Sequence, residues 1–416
     1  MSRLIAQNLP QVCHLPDGGQ PGPPFQIITP PTAARAPRPW RLNLQVLLAV
    51  VVLLCLVAAG CAPTPAKPLP VLRIGHAPHD HHAPLYIAAL NPEYFKEHGG
   101  IYLAEVQARK EYRLMQGDRP LARVLIEAST GGEELIRKLA EGQFDLALGG
   151  FPAMLNFIDQ GRPLRVLAPV MSEGAGLVVR KGLPIADWAD FAGYVQQKNQ
   201  PPLRIGYPIA VSVQGLIFAK ALTEAGIIFS EKLDDARARV VLVNLFGTKN
   251  LLPALESGLI DGFVAMQPFL AMAEAKGAGQ VVASLADLPP KGRWQGYPCC
   301  ALAGNNAYVH AQLEVATAMV SLLSRASRFL ATQPEKSAEQ VGQWLGVPAA
   351  VEARSLPTIH FLDQFDASWK RGAEFWVASL VADGTLHGRV KEAYLAGKLP
   401  GTVYDLEILE RARRNQ

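Results

Sequence analysis

VLRIGHAPHDHHAPLYIAALNPEYFKEHGG, residues 71–100, decides how the rest of the chain is read. Its first four residues are β-rich and stop at Gly75; a polar segment then holds four of the chain's nine histidines, His76, His79, His81 and His82. Helical spacing follows, with Leu85, Ile87, Ala88 and Leu90 on one face, and a second helical run from Glu93 to His98 is closed by Gly99 and Gly100. Strand, polar loop and helix N-terminus in this order build a ligand site in open α/β sheets. The loop lies at the carboxyl edge of the sheet, and the helix's unpaired N–H groups point into it.

Towards the C-terminus, strands and helices keep alternating as in an α/β protein. Two β-rich runs, residues 104–108 and 122–128, flank the charged segment KEYRLMQGDRPL with its Gly117-Asp118 turn, which predicts a hairpin at a sheet edge. Gly131-Gly132 opens a helix; Asp145-Leu146-Ala147-Leu148 is a short buried strand stopped by Gly149-Gly150, and Pro152 starts the next helix. From Gly176 the pattern restarts. Leu203-Arg204-Ile205-Gly206 repeats Leu72-Arg73-Ile74-Gly75, and Gly258-Leu-Ile-Asp261 repeats the spacing of Gly142-Gln-Phe-Asp145. Two similar lobes are the economical reading, with chance likeness of common α/β units as the alternative. The last third is mostly helical, over residues 313–330, 334–345 and 365–382, and such helices need an existing lobe to pack on, most simply the first.

Towards the N-terminus, residues 1–61 read as a leader. A Pro- and Gly-rich stretch ends in a basic segment, and residues 46–59 are all apolar. These 14 positions fall short of the roughly 20 that span a bilayer, so they read as the apolar region of an export signal. Ala58-Ala59-Gly60-Cys61 follows, with small residues directly before a cysteine, and the Pro-rich residues 62–70 suit a spacer. Cleavage before Cys61 leaves 36 basic against 35 acidic residues, so the formal charge of +4 belongs largely to the leader and carries no nucleic-acid inference. Cys299 and Cys300 then remain, and one intervening trans peptide makes a disulfide between them unfavourable. They read as small buried apolar residues in a strand, ahead of redox or metal chemistry.

Five local patterns, RIG…HAPLYIA, STGGEELIRKLAEGQFDLALGG, LRIGYP, GLIDGFVAMQP and YPCC, together resemble the nitrate/sulfonate/taurine and thiamine-pyrimidine-precursor solute-binding proteins of ABC importers. Ala58-Ala59-Gly60-Cys61 resembles the lipobox of the family's lipid-anchored form, with Cys61 the lipidated residue. The resemblance implies an α/β, type II periplasmic-binding-protein fold: two α/β lobes with an interlobe cleft, joined by two crossing strands. Residues 71–175 and 284–416 would form the first lobe and residues 176–283 the second. It also implies a ligand held by His76, His81, His82, Gly150 and Phe151 from the first lobe, and by Ser212, Gln214, Met266 and Gln267 from the second. None is Arg or Lys, whereas a dianion usually calls for a bidentate Arg, so the expected solute is a monoanion or a neutral heterocycle.

The implied partners are that small-molecule ligand, the ABC permease and ATPase subunits, and a membrane reached through the lipid anchor, on the periplasmic or exterior side. A monomer without nucleic acid, cofactor or turnover is expected. Two other classes compete. His79, Asp80, His81 and His82 suit zinc, nickel or copper, although ligands one residue apart on a short loop seldom converge on one ion. A pyrimidine-forming synthase shares the fold and uses histidine and a Cys-rich segment, but an export leader argues against that chemistry, and no Ser/His/Asp arrangement or nucleophile elbow is present.

Overall fold

The computed structural model describes residues 45, 47–49 and 68–414. By contacts the chain divides into Met1–Lys67 and Pro68–Gln416. In the first unit Gln45, Leu47, Leu48 and Ala49 are helical and exposed; the Ala58-Ala59-Gly60-Cys61 segment and residues 62–67 of the spacer lie outside the described residues. Among the described residues, no helix is long and apolar enough to cross a membrane.

The second unit is built on two sheets. Strands β1 (Val71–His76), β2 (Ile101–Gln107), β3 (Glu111–Gln116), β4 (Arg119–Ala128), β5 (Leu146–Gly150) and β6 (Leu164–Glu173) belong to the first. The chain then crosses to the second sheet, β7 (Ala175–Arg180), β8 (Leu203–Tyr207), β9 (Phe229–Ser230), β10 (Val240–Asn244), β11 (Gly262–Met266) and β12 (Gly279–Ser284). It returns with β13 (Pro298–Asn305) and β14 (Ile359–Phe361). The orders are β14-β6-β13-β5-β1-β4-β3-β2 and β12-β7-β11-β8-β10-β9.

The two sheets share a central pattern. In the first, β1 runs parallel between β4 and β5, and the returning strand β13 lies antiparallel beside β5. In the second, β8 runs parallel between β10 and β11, and the incoming strand β7 lies antiparallel beside β11. The repeated sequence motifs sit at equivalent places and make equivalent bonds. Arg73 N donates to the Asp145 carboxylate at 2.7 Å and Asp145 N to Arg73 O at 2.9 Å, while the Arg73 guanidinium reaches Gly142 O. Arg204 N donates to Asp261 Oδ2 at 2.9 Å and Asp261 N to Arg204 O at 2.8 Å, while the Arg204 guanidinium reaches Gly258 O. Each Asp thus pins a strand to its parallel neighbour in the sheet, β5 to β1 and β11 to β8, satisfying backbone groups that the ladder leaves over.

The edge of the first sheet is a three-stranded meander and not the two-stranded hairpin expected. The charged segment itself forms β3, because Tyr112 and Leu114 alternate inward while Arg113 faces out; Gly117-Asp118 turns between β3 and β4. The C-terminal helices cover the first sheet. Leu313–Thr332 lies on Ala83–Leu90, and Leu406–Arg414 packs on Leu313–Thr332 and β6. The buried Asp159 carboxylate accepts the backbone N–H groups of His387, Gly388, Val390 and Lys391, tying Arg389–Leu395 to the helix Phe151–Asp159. Two ion pairs bridge to elements of the second sheet: Arg354 with Glu274 at 2.6 Å and Lys220 with Asp383 at 3.1 Å.

Candidate ligand-binding site

The polar loop after β1 is buried, and Tyr86 holds it. The Tyr86 hydroxyl lies 3.0 Å from Ala77 O and 3.2 Å from both His79 O and His76 Nδ1, and it accepts the His79 N–H at 3.3 Å. Its ring stacks on Trp344, centroids 4.9 Å apart. A turn of 3-10 helix over Asp80–His82 then leads into the helix Ala83–Leu90. This fold-back fixes the rings. His82 Nδ1 accepts the Ala77 N–H at 2.9 Å, so its proton is on Nε2 when the ring is neutral. His81 Nε2 lies 2.9 Å from Gly174 O, and because a carbonyl only accepts, that nitrogen carries a proton, so that Nδ1 has the lone pair when the ring is neutral.

Gly174 is the residue at which the chain crosses between sheets. It has φ +62, follows Glu173 at φ +65, and a Cβ on it would lie 2.5 Å from Ile359 Cγ1 and 3.0 Å from His81 Nε2. Its carbonyl also accepts the Gln267 N–H at 3.0 Å, and Gln267 O accepts the Asp80 N–H at 3.3 Å. The histidine loop is therefore bonded to the crossing and to the end of β11 at once.

Between the sheets lies a cavity of about 40 Å³. His79, His81, His82, Gly150, Cys299 and Cys300 line it from the first sheet, and Ser212, Gln214 and Met266 from the second. No Arg or Lys is among the lining residues. The sheets approach closely here: at Gly132 a Cβ would strike the Ile209 side chain of the opposite half. Ser212 caps the helix Val213–Glu224, accepting the Gly215 N–H at 3.2 Å, and Gln214 in its first turn points Nε2 at Cys299 Sγ, 3.7 Å away.

Of the nine candidate residues read from sequence, six line this cavity: His81, His82, Gly150, Ser212, Gln214 and Met266. Three are placed elsewhere. His76 is the last residue of β1 and lies behind the loop, edge-on to Tyr86 and Trp344; burial, with His82 beside it, lowers its pKa to about 3, so it is neutral. Phe151 is fully buried against Trp369 and Tyr404 of the C-terminal segment, centroids 5.6 and 6.3 Å away. Gln267 turns its side chain away, its Oε1 capping the Ala271 N–H and its Nε2 reaching Thr358.

Sequence reasoning passed over Cys299 and Cys300 as site residues. Both sulfurs lie beside His81: Cys299 Sγ is 3.4 Å and Cys300 Sγ 3.8 Å from His81 Nδ1, and the sulfurs are 4.0 Å apart. The pair is polarised. Its contact with Cys299, with His81 and His82 adding to it, holds the Cys300 thiol below the ordinary range, while burial pushes Cys299 up. Burial also drives His79 well below its ordinary value, with His82, His81 and His76 adding to it. Behind the loop, Asp80 accepts from Ser355 and neighbours Glu352; burial raises Asp80 to about 6, and burial together with Asp80 raises Glu352 to about 9. Burial thus pushes both carboxyls above the ordinary carboxylate range.

The fold, two sheets with a double crossing and a cavity between strand ends, is that of the periplasmic binding proteins. Solved structures agree. A ligand-binding component of an ABC-type import system from Staphylococcus aureus, crystallised with zinc bound, superposes over 82% of this chain and 99% of its own at TM-score 0.60 and 16% identity. The alkanesulfonate-binding protein SsuA of Xanthomonas axonopodis pv. citri, bound to MOPS, matches over 77% and 96% at TM-score 0.56 and 17% identity. The nitrate-binding protein NrtA of Synechocystis PCC 6803 matches over 83% and 89% at TM-score 0.60 and 14% identity. Residues 65–346 match the model of the NMT1-like family, and the chain belongs to that family. An uncharacterized Methanocaldococcus jannaschii protein, MJ1180, is 31% identical over 140 residues, which are 33% of this chain and 97% of that protein.

Proposed function

We propose that this chain is the extracytoplasmic solute-binding component of an ABC-type importer, holding one small ligand between its two sheets and handing it unchanged to a permease. The observation that carries this reading is the cavity at the double crossing, lined from the ends of both sheets. Residues 71–175 with 284–416, and residues 176–283, are the lobes that part to admit the ligand. Solutes named for the structural relatives, alkanesulfonates and nitrate, support the class. A lining without Arg or Lys supports a monoanion or a neutral heterocycle over a dianion. With the sheets closed, about 40 Å³ holds roughly three water-sized groups, which favours ligands of a few heavy atoms.

Calorimetric titration of the chelated chain with nitrate, taurine, short alkanesulfonates and pyrimidines tests the reading. One ligand per chain, recovered intact, is the expected result; conversion of a bound compound would place the protein among enzymes of this fold. Lipidation at Cys61 is the proposed membrane attachment, read by mass spectrometry of the mature N-terminus. An unmodified Cys61 within an intact leader would overturn it.

A further inference from the structure

Neighbouring residues of a regular strand point to opposite faces of its sheet, so Cys299 and Cys300 should not meet. In β13 they do. Its pairing with β6 shifts register on both sides of Cys300, and a bulge of this kind re-aims side chains. Both sulfurs come to the cavity, where His81, 218 residues away in sequence, completes a triangle.

The triangle has the dimensions of a metal site. A triangle with sides 3.4, 3.8 and 4.0 Å has a circumscribed radius of about 2.2 Å, so one point lies about 2.2 Å from all three donor atoms. Zinc bonds to thiolate and imidazole run at about 2.3 and 2.0–2.1 Å. The imidazole is set as metal-binding imidazoles are: Nε2–H donates to a backbone carbonyl, Gly174 O, and the free Nδ1 lone pair faces the sulfurs. Around the triangle stand further soft or neutral donors. Met266 brings a thioether from the second sheet, and His79 Nδ1 and His82 Nε2 are buried with no hydrogen-bond partner.

We propose that the cavity between the sheets binds one thiophilic d10 metal ion, Zn(II) or Cu(I), through His81 Nδ1 and the thiolates of Cys299 and Cys300. This assignment rests on the reading of that cavity as the binding site and goes beyond it by adding an ion at the His81, Cys299 and Cys300 wall, with the solute as a separate ligand. Thiolate with imidazole selects such ions over magnesium, calcium or manganese, which prefer oxygen donors. Coordination forms two metal–sulfur bonds and one metal–nitrogen bond, and the two thiol protons leave to solvent. Because the His81 ring is bonded to the crossing residue Gly174, an ion on His81 is tied to the strand crossing as well.

The test uses the full chain, reduced, stripped with chelator and kept in detergent under argon. Zn(II) and Cu(I) are each titrated against a chromogenic chelator, and Co(II) is added separately to read thiolate-to-metal charge transfer. The expected results are one ion per chain, a cobalt–thiolate band, and affinity lowered about tenfold or more in Cys299→Ser, Cys300→Ser and His81→Gln but not in the exposed control His98→Gln. Since a variant can fail to fold, alkylation of the wild-type chain is read by peptide mass spectrometry: the ion should protect Cys299 and Cys300. Failure of both ions to bind, or binding that leaves Cys299 and Cys300 open to alkylation, overturns the assignment. The stripped chain is also melted with nitrate, taurine and methanesulfonate. A shift there without a metal effect removes the ion and leaves the cavity reading standing; no response to anything removes both.

Discussion

Gly174→Ala should damage this protein more than its backbone conformation alone explains. At φ +62 an alanine meets the left-handed penalty, roughly 1–2 kcal/mol. The new Cβ also falls 2.5 Å from Ile359 Cγ1 and 3.0 Å from His81 Nε2, so the crossing, β14 or the histidine ring must shift. Forcing an extra carbon into a filled interior costs typically about 1–3 kcal/mol, which brings the total to about 2–5 kcal/mol. Gly226 provides the control, with φ +64 and nothing within 4 Å of a Cβ, so Gly226→Ala should cost only the backbone part. Urea unfolding of the two variants compares them directly. Because His81 donates to Gly174 O, Gly174→Ala should also weaken ligand binding by about tenfold or more while Gly226→Ala leaves it unchanged. Equal destabilisation of the two variants, or unaltered binding in Gly174→Ala, would refute the coupling of the histidine loop to the crossing.

Asp145→Ala and Asp261→Ala should each cost about 1–3 kcal/mol in urea unfolding, because each leaves a half-buried backbone N–H unpaired. The double variant should be additive to within about 0.5 kcal/mol, since the two residues sit in different sheets. Phe151→Ala should lose about 3–5 kcal/mol of stability while the folded protein keeps its ligand affinity, because the ring packs on Trp369 and Tyr404 and not on the cavity. Glu352 has its pKa raised from 4.5 to about 9, so the native state holds a proton that the unfolded chain releases. Its contribution is complete below pH 4.5 and is lost as pH rises towards 9, so Glu352→Gln should gain stability relative to wild type across that window. Melting curves at pH 5, 7 and 9 read the difference; a constant offset would show that Glu352 is already ionised at pH 5.

Much of the architecture was legible because it is written locally. Leu-Arg-Ile-Gly twice, and Gly-x-x-Asp twice, are short motifs that mark strand starts and ends, and although the bonds between the two motifs span 54 to 72 residues, both copies make the same bonds. The histidine loop was legible for the same reason, since it sits between a strand and a helix. Which histidine faces the cavity was not, because Tyr86 and the Asp80–His82 turn rotate the loop. Phe151 opens a helix at a strand end, and its direction is decided by Trp369 and Tyr404, more than 200 residues downstream. The two cysteines were hidden twice over. Strand alternation argues that neighbours diverge, and only a bulge set by β6 reverses that; their imidazole partner lies in another element altogether.

X-ray absorption at the zinc edge, on the full chain loaded with one equivalent of Zn(II), reads the donor set of the bound ion. The donor set of His81, Cys299 and Cys300 predicts a first shell with two sulfurs at about 2.3 Å and nitrogen at about 2.0–2.1 Å, the sulfur signal halving in Cys299→Ser and in Cys300→Ser. A shell of nitrogen and oxygen alone, identical in wild type and both variants, would contradict it.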